Sequence, residues 1–151
     1  MATSAPRLTN EPPLGRVVGT VRWTEALYAL GAVMLAAEAA VHVQQYASLF
    51  HAIRWIGPLF LANAAASLLA AAGLVHERTR PMAALAGIAI SAGALGSLVL
   101  SYGTGLFGWI EGGWRTAIAL ALVSEVGAVL ALAAGLTAAA LRVEGVRPHS
   151  A

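Results

Sequence analysis

Residues 26–48, ALYALGAVMLAAEAAVHVQQYAS, form an apolar run that is interrupted by one glutamate and one histidine, Glu38 and His42. A run of about 20 apolar residues is long enough to cross a bilayer as one helix. The stretch therefore predicts a membrane-spanning helix that carries two ionisable side chains, four residues apart, on one face. The other polar residues of the chain decide whether these two side chains have partners.

The composition of the whole chain is typical of a membrane protein. Of its 151 residues, 59% are hydrophobic and 11% are charged, and the mean hydropathy is +0.76. A soluble domain averages about 25% charged residues, and a soluble chain of this length could not cover its surface with so few. The absence of cysteine excludes disulfides, thiolate metal sites and thiol redox chemistry. All nine basic residues are scattered arginines, so no nucleic-acid partner is predicted.

Four apolar runs are long enough to span a bilayer, at roughly 24–48, 53–75, 82–103 and 114–141. Short polar or glycine-rich breaks separate them, so the first two spans and the last two are expected to form helical hairpins. The predicted fold is all-α, a four-helix bundle in the membrane. Its transmembrane domain covers residues 23–141, between a disordered tail at 1–22 and a second tail at 142–151.

The arginines outside the spans predict the orientation. Only Arg54 and Arg115 fall on one side of the membrane, whereas the other side carries Arg7, Arg16, Arg22, Arg78, Arg80, Arg142 and Arg147. By the positive-inside rule, both termini are expected in the cytoplasm, with the chain in the plasma membrane. The N-terminal tail lacks the apolar core of a signal peptide, so no cleavage is expected.

Most aromatic residues are expected in or near the outer half of the membrane. They are Tyr46, Phe50, Trp55, Phe60, Tyr102, Phe107, Trp109 and Trp114. One interpretation is an aromatic belt at the outer interface. The other is a mouth, lined by aromatic rings, that opens outward.

Polar residues from three spans are expected at one depth. With a rise of about 1.5 Å per residue, Glu38 and Asn63 lie about 15 Å, and Glu125 about 16 Å, below the outer end of their helix. His42 lies one turn above Glu38, and Gln45 continues that face outward. Ser97 or Ser101 of the third span are candidates to join them.

These residues are expected to face one another because an ionised side chain at the bilayer centre costs roughly 2.5–3.5 kcal/mol. The candidate ligand-binding or proton-relay residues are therefore Glu38, His42, Gln45, Asn63 and Glu125. Two neighbouring carboxylates in a poorly solvated site favour sharing a proton, or pairing with a protonated histidine between them. The structural alternative is a satisfied polar cluster that only fixes helix register.

Three kinds of function remain open. The first is a transporter-like or accessory membrane protein that binds protons or a small ligand. The second is a subunit of a redox complex that binds a quinone; haem is less favoured because no second histidine is expected at the depth of His42. The third is a metal site made by Glu38, His42 and Glu125. The sequence requires no cofactor, and it is compatible with a homo-oligomer or with a larger membrane complex.

The sequence does not predict a hydrolase. Ser124 beside Glu125 does not make a triad, and neither a nucleophile elbow nor a phosphate loop occurs in the sequence. Small residues at four-residue spacing, such as Gly87 with Ser91 and Gly93 with Ser97, predict close helix packing instead.

Overall fold

The structure is a computed structural model that describes residues 14–146, with side chains described for residues 22–143. It contains four α-helices: α1 (Leu14–Ser48), α2 (Ile56–Gly73), α3 (Arg80–Tyr102) and α4 (Thr116–Val146). A short 3₁₀ helix, Phe50–Ala52, lies between α1 and α2. The predicted tails lie mostly outside the described residues, at 1–13 and 147–151. However, α1 already begins at Leu14, inside the segment expected as a tail.

All four helices are long and apolar enough to cross a membrane, as predicted. The apolar spans within them are Arg22–Ser48, Ile56–Gly73, Arg80–Tyr102 and Thr116–Val143. Their bounds differ from the predicted ones by three residues or fewer. Large apolar side chains face outward along every helix, for example Val33 (60% exposed) and Leu69 (75%). An outer surface of this kind suits contact with lipid, which solvates apolar side chains.

Each helix packs against the next one along the chain, and α1 also packs against α4. The most extensive interface joins α1 to α4, followed by α1 with α2 and α3 with α4, whereas α1 and α3 touch only slightly. Within the described part of the chain, no Cα atom of α2 lies within 8 Å of α4. The four helices therefore surround a central interior, and α2 and α4 do not meet across it.

Small residues bring the helix backbones together in one half of the bundle. A Cβ atom added to Gly87 of α3 would lie 2.8 Å from a methyl group of Leu132 and 2.9 Å from one of Leu35. Gly31 of α1 packs even more closely on Leu132, and Gly135 of α4 packs on the ring of Tyr28. These contacts form the apolar core of the protein.

We refer to the two ends of the bundle by their loops. The 3₁₀ end contains residues 49–55 and the 103–115 loop, and the Arg80 end contains residues 74–79. At the Arg80 end, Arg80 forms an ion pair with Glu25 at 2.7 Å, and its guanidinium lies over the ring of Tyr28. Arg142 of α4 donates a hydrogen bond to Thr24 of α1. Side chains thus tie α1 to α3 and to α4 at this end.

Candidate functional site

Glu38 lies in the centre of the bundle and is completely buried. One carboxylate oxygen accepts hydrogen bonds from Asn63 Nδ2 at 2.8 Å and from Ser67 Oγ at 3.3 Å, both on α2. The other accepts a hydrogen bond from Ser91 Oγ of α3 at 2.6 Å. Three donors from two helices suit an ionised carboxylate, which only accepts hydrogen bonds. Glu38 of α1 is therefore held rigidly against α2 and α3.

His42 lies one helical turn from Glu38 and is also buried. Its Nδ1 atom is 3.0 Å from the backbone carbonyl oxygen of Glu38. Because a carbonyl only accepts, Nδ1 carries the proton in this hydrogen bond. The other ring nitrogen, Nε2, lies 3.9 Å from Oε1 of Glu125 on α4. In the neutral ring, Nε2 is then left as an acceptor or metal ligand.

Glu125 is 98% buried, and its second carboxylate oxygen, Oε2, has no hydrogen-bond partner. The neighbouring Ser124 does not supply one, because its hydroxyl donates to backbone carbonyl groups of its own helix. A buried polar atom without a partner is uncommon and calls for an explanation. Glu125 therefore differs from Glu38, whose two oxygens are both satisfied.

Glu38, His42 and Glu125 form one cluster, which we call the Glu–His–Glu cluster. Each contributes one nitrogen or oxygen atom to a set in which all atoms lie within 4.8 Å of one another. Among residues 22–143, no arginine forms an ion pair with either carboxylate. The negative charge of the cluster therefore has no permanent positive partner in the described part of the chain.

A cavity of about 340 Å³ reaches from the cluster towards the 3₁₀ end. His42, Asn63 and Glu125 provide the polar groups at the deep end, and the walls are mainly apolar side chains of all four helices. Gly93 of α3 also lines the cavity, and no atom of another helix lies within 4 Å of where its Cβ would be. A mostly apolar cavity with a few convergent polar groups is the usual form of a small-molecule site.

Aromatic rings line the part of the cavity next to the 3₁₀ end, which we call its mouth. Phe60 lies 5.0 Å from the His42 ring and stacks on Phe50 at 4.5 Å, and Phe50 meets the edge of Trp109. Trp55, Tyr102, Phe107 and Trp114 at this end are exposed, and Tyr46 is half-buried. The structure thus contains both an aromatic cavity wall and aromatic side chains on the outer surface.

A group of polar side chains also lines the mouth. Arg115 donates hydrogen bonds to Gln45 at 3.0 Å and to Glu111 at 2.6 Å. Trp109 is held beside them by a tight turn in which Leu106 and Trp109 exchange two backbone hydrogen bonds. The indole nitrogen of Trp109 is buried without a partner.

The structure brings together four of the five residues predicted for the site. Glu38, His42, Asn63 and Glu125 meet at the deep end of the cavity, whereas Gln45 lies at the mouth with Arg115. On α3, Ser91 is the residue that contacts Glu38. Ser97 and Ser101 line the cavity, and their hydroxyl groups bond to carbonyl groups of their own helix.

Ser67 and Ser91 were therefore the site residues that the sequence did not reveal. Ser67 follows Asn63 by one helical turn, which places both on one face of α2 and was a usable signal. Ser91 stands four residues after Gly87, and this spacing had been interpreted as helix packing.

Comparison with known proteins finds no matching family model, and no curated protein or solved structure matches the chain significantly.

Proposed function

We propose that this multi-pass membrane protein binds a small, mostly apolar molecule in the cavity and recognises one polar group of that molecule at the deep end. The observation that carries the proposal is Glu125, whose Oε2 has no partner although the residue lies at the end of an apolar cavity. A hydroxyl or amine of the ligand would satisfy this oxygen. Asn63 and His42 would orient the same group.

Proton exchange at the deep end is part of this proposal. His42 Nε2 and Glu125 Oε1 are 3.9 Å apart, so a small side-chain rotation would bring them into a hydrogen bond that shares a proton. Glu38 would remain fixed by its three donors. Binding coupled to proton exchange fits a transporter-like or accessory membrane protein better than a scaffold, because intramembrane ionisable groups are usually functional.

A cavity-filling substitution tests the proposal. The protein is purified in mild detergent, extracted with organic solvent, and the extract is compared by mass spectrometry among variants. Ala121 lines the cavity, so Ala121→Phe would place an aromatic ring inside it, whereas Ala133→Phe adds the same ring to the exposed face of the same helix. We expect a molecule that is retained by the wild type and by Ala133→Phe and is lost from Ala121→Phe. Identical extracts from all three would contradict the proposal and favour a purely structural scaffold.

A quinone is the second candidate ligand, and the aromatic wall favours it. The rings of Phe60, Phe50 and Trp109 would contact a planar headgroup, and Nε2 of His42 would accept a hydrogen bond from a hydroxyl group of the reduced quinol. The protein would then be a subunit of a membrane redox complex. A quinone absorption band in the extract would support this candidate, and an extract without one would remove it. Within the described residues, haem held by His42 and a second histidine is not supported, because His51 and His76 are exposed at opposite ends of the bundle.

The location, the orientation and the assembly state of the protein are also proposals. Plasma-membrane localisation, with both termini in the cytoplasm, is supported by the distribution of the arginines. Association with a second copy or with a larger membrane complex is compatible with the exposed apolar surface. Size measurement by light scattering in detergent, corrected for the micelle, would separate a monomer from these assemblies.

A further inference from the structure

We infer that the Glu–His–Glu cluster binds one divalent first-row transition-metal ion, of which Zn²⁺, Fe²⁺ and Mn²⁺ fit the ligands best. The inference rests on the convergence of three ligating atoms and on the unpartnered oxygen of Glu125. It does not depend on the apolar ligand proposed above, although both would occupy the same region of the bundle.

The spacing of the three side chains is close to that of a metal site. Two ligands at about 2.0–2.1 Å from a tetrahedral ion lie about 3.3 Å apart. The distance between His42 Nε2 and Glu125 Oε1 is 3.9 Å, and the whole set lies within 4.8 Å. Rotation of the His42 and Glu125 side chains would bring these atoms to ligand distance while Glu38 stays in place, since all three residues project from helices into one region of the interior.

The groups around the ligands favour metal binding. The Nδ1–H of His42 donates to a backbone carbonyl, which orients the ring and leaves Nε2 as the ligand. Asn63 and Ser67 donate to one oxygen of the Glu38 carboxylate and Ser91 donates to the other, which keeps a lone pair for an ion. Hydrogen bonds to ligating histidines and carboxylates are what orient these ligands in metal sites.

Charge also favours a cation. Glu38 and Glu125 are buried in a membrane-spanning region, and no arginine of residues 22–143 pairs with either one. A divalent ion would neutralise both carboxylates at once, whereas protons must neutralise them one by one. Binding would release whatever protons the carboxylates carry, so the affinity for the metal would rise with pH.

The ligand chemistry narrows the choice of ion. One imidazole nitrogen and two carboxylate oxygens, without sulfur, suit Zn²⁺, Fe²⁺ or Mn²⁺ and disfavour Cu⁺. His42 and Glu125 also line the cavity. A fourth coordination position would therefore open towards the cavity, where a water molecule or a ligand oxygen would complete the shell.

The probe for this site is Zn²⁺ alone. The purified full-length protein is stripped with EDTA in mild detergent and titrated calorimetrically with Zn²⁺ at pH 6.5 and 7.5. We expect one ion per chain, tighter binding at the higher pH, and affinity at least about tenfold lower in His42→Ala, which removes a ligand. The control, His51→Ala, removes an exposed histidine at the 3₁₀ end and should leave the affinity unchanged.

A second variant keeps the test decisive if His42→Ala does not fold. Ser91→Ala removes only a donor to Glu38, and it should weaken Zn²⁺ binding roughly 10- to 100-fold. It should also shift the visible spectrum of the Co²⁺-loaded protein, which a merely structural role would leave unchanged. Absence of Zn²⁺ binding by the wild type, or equal affinities of His42→Ala and His51→Ala, would overturn the inference. The solvent-extraction experiment above would be unaffected by that failure, so the two proposals can fail separately.

Discussion

The Glu38 side chain connects three helices through its carboxylate group. Its two oxygens accept hydrogen bonds from Asn63 and Ser67 on α2 and from Ser91 on α3, while its backbone belongs to α1. A charged group at the bilayer centre is costly, roughly 2.5–3.5 kcal/mol on the insertion scale. The three donors offset that cost, so each of them should contribute measurably to stability.

Ser91 provides the cleanest test of this contribution. Ser91→Ala should lower the free energy of unfolding by about 0.6 kcal/mol, and by no more than about 1.7 kcal/mol, the range measured for interhelical hydrogen bonds in a membrane protein. Unfolding in mixed detergent micelles, with increasing sodium dodecyl sulfate, measures this difference. Ser97→Ala is the matched control, because Ser97 bonds only to Gly93 of its own helix. Equal losses for the two variants would show that Ser91 does not hold Glu38.

Depth along each helix was enough to predict which carboxylates and amides meet. Glu38, Asn63 and Glu125 were placed at one level by counting residues from the helix ends. Depth does not give the rotation of a helix about its own axis, so it did not indicate that Ser91 is the residue of α3 that contacts Glu38. A serine can also satisfy its hydroxyl on a carbonyl group one turn earlier, as Ser97 and Ser101 do, so a serine that lines the cavity need not contact the carboxylates.

At the scale of single elements, α3 shows how small residues divide a helix into a packed half and an open half. Gly87 faces the core, where Leu35 and Leu132 approach it, whereas Gly93 and Gly96 have open space around them. The sequence predicted close packing at Gly87 and Gly93 alike, because four-residue spacing is the same for both. Only the packing of neighbouring helices distinguishes them.

A pair of valine substitutions measures this difference. Gly87→Val should destabilise the protein by about 1–3 kcal/mol, because the added methyl groups overlap with Leu35 and Leu132. Gly96→Val lies on the same helix in open surroundings, and it should have little effect or a slight stabilising one, since glycine is a poor helix former. The same detergent unfolding assay applies. A larger loss for Gly96→Val than for Gly87→Val would contradict the position of α3 in the bundle.

For the whole molecule, hydropathy predicted the number of spans and their bounds, but not their arrangement. Four runs of about 20 apolar residues are a strong signal because every backbone group must be satisfied within a helix in lipid. The largest interface, between α1 and α4, could not be predicted in this way. Lipid and protein interior are both apolar, so the apolar residues do not indicate which face of a helix turns inward.

The orientation in the membrane is a prediction that introduced cysteines can check, because the chain has none of its own. Gly112→Cys lies in the exposed loop at the 3₁₀ end, and Glu77→Cys lies in the exposed loop at the Arg80 end. A membrane-impermeant thiol reagent added to intact cells should label Gly112→Cys only. Glu77→Cys should become reactive after the membrane is opened. The reverse pattern would invert the proposed topology, and labelling of both from outside would contradict the four-span count.

A double-mutant cycle on Glu38 and Glu125 tests most directly whether the buried cluster is one site. Because both carboxylates share the surroundings of His42, neutralising one should change the cost of neutralising the other. Glu38→Gln and Glu125→Gln should therefore show a coupling energy of about 0.5–3 kcal/mol in the unfolding free energy. Glu38→Gln combined with Glu111→Gln, at the mouth of the cavity, should be additive within about 0.5 kcal/mol. Additivity of the Glu38 and Glu125 substitutions as well would mean that the two carboxylates act independently, and the single-site account would be wrong.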